Sequence, residues 1–385
     1  MFLFILFPFI QALFLIFFFV KPLKIHVFFK YIVGAILTVS SFKIFAYLFI
    51  EDATIMDLKL SKETAFIVDS AFFTSVFVFI FTLLRSIINV IAKVFCFNPK
   101  KYLISPYSKR MAIVLVVIAA LTGLRALTNA FEAPDETNYT VKIDKLKSRY
   151  KGFKIVQLSD LHICASTTED EIISIVDRVN ALNPDVVVIT GDFVDGQVLE
   201  LSVKARHLFN LKSTFGTFGV SGNHEFYSGY SSWMEFLEDG GIRMLENDSV
   251  TLRNFRGRPI LNIAGISDLS SLNPHLNVKI KEKEKTDFEK AFRKVDFSYP
   301  VILLSHQPSA ALKVKELSDL TISGHTHGGL APVLKSIVKS KNSGFVSGLY
   351  EIGKEKLIVS NGTRIWAGVP LRLDTPAEIN VITLE

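Results

Sequence analysis

The stretch LTISGHTHGG, residues 320–329, joins an apolar strand pattern to a glycine-rich turn that carries His325 and His327. Alternate residues of an extended turn point the same way, so the two imidazoles can lie around one position in space. The turn follows the carboxyl end of the strand, which is where open α/β sheets bind their ligands. Because paired histidines also occur on plain polar surfaces, the other strand ends must decide whether this turn belongs to a site.

Four earlier strand patterns also end in residues that can bind a metal. The motifs are VQLSDLH, VITGD, VSGNHE and LLSH. They supply carboxylate, imidazole and carboxamide groups from Asp160, His162, Asp192, Asn223, His224 and His306. Together with the opening stretch, these motifs hold five of the eight histidines in the chain. Five successive strand ends with such side chains predict one shared site.

Short apolar runs separated by polar turns predict a sheet in the last two thirds of the chain. The runs are FKIVQL (153–158), DVVVIT (185–190), GTFGVSG (216–222), LNIAGI (261–266), PVILLS (300–305) and LTIS (320–323). Helical patterns at 169–181 and 199–210 lie between the early runs, and this alternation is typical of a largely parallel sheet covered by helices. The last forty residues return to strand pattern, which predicts a second sheet packed on the first.

The types of side chain at the strand ends indicate which ions they can hold. Imidazole, carboxylate and amide oxygen without thiolate favour manganese, iron, zinc or nickel over a cysteine-zinc cluster or a calcium cage. Seven ligands exceed the need of one ion, whereas two ions about 3.5–4 Å apart would use them all. Two divalent cations lower the pKa of a bridging water and clamp the oxygens of a phosphoryl group. The set therefore predicts hydrolysis of a phosphoester.

The ordered motifs DLH, GD, GNHE, SH and GHTH resemble those of the calcineurin-like metallophosphoesterase superfamily over roughly residues 150–385. The tail NGTRIWAGVPLRLDTPAEINVITLE resembles the membrane-associated bacterial branch, some of whose members act on lipid-linked phosphodiesters or on the diacylglucosamine nucleotide precursor of lipid A. The resemblance implies a four-layer α/β/β/α sandwich. Members of that branch commonly read GHTHGGQ, whereas this chain has Leu330 at the last position, which implies a different substrate preference.

The resemblance also implies a role for each residue of the site. Asp192 bridges two metals, with manganese favoured, and a hydroxide between them attacks a phosphodiester or pyrophosphate bond. The other ligands of the first metal are Asp160, His162 and His327, and those of the second are Asn223, His306 and His325. His224 binds no metal but protonates the leaving group or stabilises the transition state. Its neighbour Glu225 acts in the site or pairs with a nearby loop, and Tyr227 and Trp233 line a pocket or pack in the core.

The first third of the chain is apolar and predicts an all-α transmembrane region of about four helices. Residues 1–20 carry no charged side chain, and they lack the basic start and the cleavage site of a signal peptide. The expected spans are 1–20, 31–50, 64–84 and 111–128. We therefore expect an anchor region at 1–128, a linker at 129–150 and a catalytic domain at 151–385.

The distribution of charged residues predicts how the chain is oriented in the membrane and which partners it binds. Basic residues concentrate in the first and third connections between spans, which places those loops in the cytoplasm and the catalytic domain on the extracytoplasmic side of the cell membrane. Although the net charge is +6, the one dense basic run lies between apolar segments, so no nucleic acid partner is expected. The expected partners are a membrane and a phosphate ester, with a lipid-linked substrate as a candidate. The alternative is a catalytically silent membrane sensor or scaffold that keeps the metal-binding fold, although no expected ligand is missing.

Overall fold

The computed structural model describes residues 2–43, 62–95, 109–275, 278, 280–366 and 369–385. The chain forms two compact units, Met1–Thr128 and Asn129–Glu385. The first unit is helical, and the second is a mixed α/β unit, as the strand and helix patterns predict.

Apolar helices make up the first unit. They are α1 (Phe2–Leu15), which continues as a π-helix (Ile16–Val20), α2 (Val27–Ser41), α3 (Lys62–Phe95) and α4 (Lys109–Phe131). Among the described residues, two helical stretches are long and apolar enough to cross a membrane, Thr64–Phe95 and Arg110–Phe131. Two shorter apolar helices, Leu6–Val20 and Val27–Ser41, precede them. Among the described residues, two of the four expected spans are therefore long and apolar enough to cross a membrane, and positions 44–50 of the expected second span lie outside the described residues.

Charged residues within these helices find partners inside the unit. Lys43, which interrupts the expected second span, and Asp69 in α3 form an ion pair with both side chains buried. The Nε2 of Gln11 donates a hydrogen bond of 2.9 Å to the Ser75 hydroxyl. Large side chains such as Val39 and Ile67 are about 70% exposed, at 74% and 68%. These polar groups therefore pair inside the unit while many large apolar side chains face outward, which is the arrangement that a lipid environment favours.

Two six-stranded sheets form the second unit. The order in the first sheet is β1-β12-β2-β3-β4-β5, and that in the second is β10-β11-β9-β8-β7-β6. The strands of the first sheet are β1 (Asp135–Val141), β2 (Phe153–Leu158), β3 (Val186–Thr190), β4 (Thr217–Val220), β5 (Ile242–Met244) and β12 (Glu378–Leu384). Those of the second are β6 (Asp248–Arg253), β7 (Pro259–Gly265), β8 (Val301–Leu304), β9 (Leu320–Ser323), β10 (Gly348–Ile352) and β11 (Glu355–Val359).

Strand pairing corrects two expectations from the sequence. The strands β2 to β5 pair in parallel, as expected, but β12 pairs antiparallel with β2, so the end of the chain belongs to the first sheet. Only β10 and β11 of the last strands lie in the second sheet. The second correction is that the stretch expected as a linker, 129–150, contains β1, which pairs in parallel with β12 along its whole length.

Short helices connect the strands of the second unit. They are α5 (Glu169–Ala181), α6 (Val198–Ala205), α7 (Asn223–Ser228), α8 (Tyr230–Asp239), α9 (Phe288–Phe292) and α10 (Pro332–Lys341). The helix α5 starts at a capping box, in which the Thr168 hydroxyl accepts from the Glu171 N–H and the Glu171 carboxylate accepts from the Thr168 N–H.

Alternating strand residues build two of the cores. Ile155 in β2 packs in one buried cluster with residues from both sheets, including Ile302 and Ile322. The next residue, Val156, points to the other face and packs in a cluster with Ile172 of α5. On the second sheet, Leu303 and Phe292 of α9 share a further cluster. The period-two alternation of strand side chains thus joins the sheets to each other and to their helices.

Candidate metal centre

The five motifs follow five strands, and the structure brings their side chains together. Asp160 and His162 follow β2, Asp192 follows β3, and His306 follows β8. Ligand atoms in each of three overlapping groups lie within 4.8 Å of one another. The groups are Asp160, His162 and His327; His162, Asp192 and His224; and Asp192, His306 and His325. Asn223 joins them through its Oδ1, which lies 3.2 Å from the Nε2 of His306.

The backbone is strained where it presents these side chains. Five of the candidate ligands have a positive φ, namely Asp160 (53°), His162 (41°), Asp192 (53°), His325 (72°) and His327 (47°). A non-glycine residue in this left-handed region costs on the order of 1–3 kcal/mol, and such residues concentrate at functional sites. Strain at five positions of one cluster therefore marks it as a site whose geometry serves binding.

Glycines in the motifs allow close approach of the ligands, as their positions in tight turns suggest. A Cβ on Gly222 would collide with the carboxylate of Asp192, and a Cβ on Gly324 would collide with the side chains of Ser159 and Asp160. Any larger residue at either position would push a candidate ligand away from the cluster.

Asp192 lies between two halves of the cluster. Its Oδ2 is 3.6 Å from the Nε2 of His162 on one side and 3.1 Å from the Nε2 of His306 on the other. In the first half, the Nε2 of His327 is 3.2 Å from Asp160 Oδ1 and 3.1 Å from the Nε2 of His162. In the second half, the Nδ1 of His325 is 3.1 Å from the Nε2 of His306. One carboxylate therefore contacts both sets of imidazoles.

Asp195 is a functional candidate that the motif search misses. Both of its oxygens lie 3.0 Å from the Nδ1 of His162, and its Oδ1 lies 2.5 Å from the Nδ1 of His224. One carboxylate therefore fixes the rings of a candidate ligand and of the candidate acid. The signal in the sequence is an aspartate three residues after Asp192 in the same loop, GDFVD.

The contacts of Glu225 are with the backbone of neighbouring loops. Its buried carboxylate accepts hydrogen bonds from four backbone N–H groups, those of Asp192, Phe193, Val194 and Gly222, at 2.6 to 3.3 Å. These bonds join the loop after β3 to the start of α7. Burial, followed by the neighbouring Asp192 carboxylate, raises the pKa of Glu225 to about 8. Of the two roles expected for this residue, pairing with a neighbouring loop is the one that its contacts match.

The imidazoles and carboxylates shift each other's pKa values. Burial would raise the pKa of Asp192, but His306 and His224 outweigh burial and hold it well below the ordinary value. Burial would lower the pKa of His224, but Asp192 and Asp195 raise it to about 9. Burial lowers the pKa of His327 to about 4, against the opposing effect of Asp160. His327 therefore stays neutral near pH 7, as a metal ligand must.

The donor set fits divalent cations. The Nε2 of His306 lies within 3.2 Å of Asp192 Oδ2, Asn223 Oδ1 and His325 Nδ1, although a ring nitrogen can donate only one proton. Hydrogen bonding alone cannot satisfy several acceptors that converge in this way. Nitrogen and oxygen donors around one point are the coordination that manganese, iron, zinc and nickel accept.

The tail of the chain holds the first half of the cluster in place through Arg372, which the sequence did not single out. This arginine is 0% exposed, and its Nη2 lies 3.5 Å from the Nδ1 of His327. It donates to five backbone carbonyls of the same tail, those of Asn361, Gly362, Arg364, Thr375 and Pro376. The loop beside His327 is therefore fixed by a buried guanidinium.

Of three other residues near the cluster, Trp233 and Leu330 are buried and Tyr227 is partly exposed. Trp233 is fully buried, and its indole N–H donates to the Gly196 carbonyl, so it packs in the core. Tyr227 is 46% exposed, with its ring 5.4 Å from that of His224, so it borders the site. Leu330 is buried, which directs its side chain into the protein.

Comparison with known proteins identifies relatives. Residues 153–329 match the family of calcineurin-like phosphoesterases. An uncharacterised metallophosphoesterase of Campylobacter jejuni is 35% identical over 275 residues, covering 70% of this chain and 68% of that protein. A zebrafish transmembrane protein with a metallophosphoesterase domain is 33% identical, covering 72% of this chain and 63% of that protein. A zebrafish dimetal phosphatase aligns with a TM-score of 0.36 and 14% identity, covering 55% of this chain and 88% of that chain.

Proposed function

The chain belongs to the calcineurin-like metallophosphoesterase family, and on that premise we propose that it cleaves a phosphodiester or pyrophosphate bond with two divalent metal ions. Hydrolysis of a phosphate ester follows from the family itself. The bond, the metal and the role of each residue are our proposal, with manganese as the favoured ion.

One observation carries this proposal, which is that Asp192 contacts both halves of a buried donor cluster. A carboxylate in this position suits a bridge between two cations. We assign Asp192 to both ions, Asp160, His162 and His327 to the first, and Asn223, His306 and His325 to the second. The distances of 3.1 to 3.6 Å among these donor atoms support the assignment.

Two divalent ions, when bound, lower the pKa of water and neutralise charge on the phosphoryl oxygens. The chain supplies the remaining groups. His224 is bound through its Nδ1 to Asp195, and its Nε2 lies 4.0 Å from Asp192 Oδ2, where it can donate a proton to the leaving oxygen. Asp195 holds the ring in this orientation and holds His162 through the same carboxylate.

We further propose that the first unit anchors the enzyme in the cell membrane with more than one span, and that the catalytic unit faces the extracytoplasmic side. The two long apolar helices and the zebrafish relative described as a transmembrane protein support anchoring.

Because β1 pairs within the catalytic sheet, we place the start of the catalytic domain near 129, without a linker at 129–150. The shared core of the two sheets and the helices packed on their other faces support an α/β/β/α order of layers. Anchoring would favour a lipid-linked substrate.

Hydrolysis of bis-p-nitrophenyl phosphate by the purified full chain with manganese tests the function. We expect the Asp192→Ala variant to lose both metal and turnover, since it loses the bridge. The His224→Ala variant is expected to keep its metal and lose turnover by about 10²- to 10⁴-fold. His207→Ala is the matched control, because this histidine pairs with Glu169 away from the cluster.

Full activity in both Asp192→Ala and His224→Ala would exclude this mechanism. The same assay addresses the silent sensor or scaffold. If the wild-type chain binds metal but hydrolyses no diester, monoester or pyrophosphate, the metal-binding fold serves a function other than catalysis.

A further inference from the structure

The helix α10 differs from the other helices of the second unit in its packing. Within the described part of Asn129–Glu385, every other α-helix buries at least two residues, whereas α10 buries none. Val333 and Ile337, which are one turn apart, are 66% and 53% exposed. Leu334 and Val338 are half-buried, so the helix covers only part of its apolar face and leaves apolar surface that a partner can cover.

The charge of α10 has a single sign. Its sequence, PVLKSIVKSK, contains three lysines and no acidic residue. Lys335, Lys339 and Lys341 form no ion pair with any residue in the part of the chain that the structure describes. A partner that covers this helix must therefore accept two aliphatic side chains and offer negative charge.

The position of α10 connects it to the metal centre. The helix begins at Pro332, five residues after His327, and Lys335 packs directly against the backbone of Gly329. No flexible linker separates them, because the Leu330 and Ala331 N–H groups donate to the carbonyls of His327 and Gly329. Whatever binds α10 therefore lies next to the candidate ligand His327.

We propose that α10 is an interfacial helix that docks on a lipid bilayer with anionic headgroups. Aliphatic side chains inserted at the headgroup level and lysines that contact anionic lipid are the features of such helices. Among the described residues, two helices are long and apolar enough to cross a membrane, and a chain anchored by them stays tethered to a bilayer. This docking does not depend on the proposed hydrolysis.

Two other occupants of this surface fit the observations less well. In a second copy related by two-fold symmetry, the lysines of one helix would face those of the other, and like charges repel. A stable protein interface buries about 800 Å² on each partner, far more than two aliphatic side chains provide. A bilayer requires neither a complementary shape nor a large apolar patch.

Quenching of a fluorophore by nitroxide-labelled lipid tests the proposal in the full chain, reconstituted in nanodiscs of phosphatidylcholine with phosphatidylglycerol. The label is attached to Ile337→Cys in a Cys96→Ser background, in which the remaining Cys164 is buried. Leu199→Cys is the matched control, because Leu199 is also aliphatic, lies in α6 and is 93% exposed. We expect strong quenching at 337 and none at 199.

The lysines are tested together. In the Lys335→Gln, Lys339→Gln, Lys341→Gln variant we expect the ratio of quenched to unquenched label at 337 to fall on the order of a hundred-fold, because each of the three lysines near an anionic surface contributes roughly five-fold. Wild-type lysines in pure phosphatidylcholine should show a similar loss. An unfolding midpoint of the triple variant equal to that of the wild type, followed by the fluorescence of Trp233 and Trp366, controls for folding.

Equal quenching at 337 and 199 would overturn the proposal. Quenching at 337 that changes neither with the charge of the lipid nor with the lysine substitutions would also overturn it. A label at 337 that is shielded from water without being quenched by lipid would assign this surface to a protein partner or a second copy, and would equally overturn it.

Discussion

Asp195 shows how one carboxylate can control two histidines with different roles. Its contacts with the Nδ1 atoms of His162 and His224 leave the Nε2 atoms of both rings facing the cluster. Hydrogen bonds of this kind select the tautomer of a metal-binding histidine and the orientation of its ring. The proposed metal site and the proposed acid therefore share one positioning residue.

We expect the Asp195→Asn substitution to lower kcat/KM strongly and the free energy of unfolding only slightly. We expect kcat/KM for the diester to fall about 10- to 100-fold, because the amide can orient a ring but cannot stabilise an imidazolium. Steady-state kinetics with metal analysis of the same preparation measures the effect. Wild-type kcat/KM in Asp195→Asn would contradict the role given to this residue.

The convergence of the candidate donor residues could be predicted from the sequence, whereas the contacts of two neighbouring residues could not. Asp160, His162 and His306 each follow an apolar run, so their convergence follows from the parallel sheet. Asp195 lies five residues beyond the end of β3, past the motif GD, and Arg372 lies in an irregular tail. Their roles depend on contacts between loops that are distant in sequence, which local patterns do not encode.

The apolar runs predict the strands because burial on both faces gives continuous β-branched sequences. The run at 153–158 and the helix at 169–181 match β2 and α5 residue for residue. The exception is the pair β1 and β12, which joins residues that lie more than 200 positions apart. The strand β1 reads DETNYTV and is mostly exposed, so it lacks the apolar pattern of the other strands.

The tail loop that carries Arg372 should depend on its guanidinium. We expect Arg372→Met to destabilise the second unit by about 3 kcal/mol or more, because several buried carbonyls lose their donor. The expected fall in the unfolding midpoint is about 6–12 °C. Both tryptophans of the chain, Trp233 and Trp366, lie in this unit, so their fluorescence during heating of the full chain reports on it.

Arg253→Met is the control for this substitution, since Arg253 is exposed and also donates to a backbone carbonyl, that of Gly257. Its midpoint should stay close to that of the wild type. If the two variants unfold at the same temperature, the buried guanidinium does not hold the tail.

For the whole molecule, metal binding should couple to the stability of the second unit. The cluster packs carboxylates and imidazoles that can share cations, so ions that bind only the folded state stabilise it. Removing metal with a chelator should lower the unfolding midpoint of the tryptophan-containing unit by roughly 5–10 °C, which corresponds to about 2.7 kcal/mol at a hundred-fold excess over Kd. Manganese should restore it, and Asp192→Ala should respond much less. Identical midpoints with and without metal would argue against a cation site.

We propose that seven donor residues from both sheets hold two cations on either side of Asp192. Anomalous diffraction at the manganese edge, from crystals grown with manganese, tests this arrangement. We expect two peaks about 3.5–4 Å apart, one beside Asp160, His162 and His327 and one beside Asn223, His306 and His325. A single peak elsewhere, or no peak within this cluster, would contradict it.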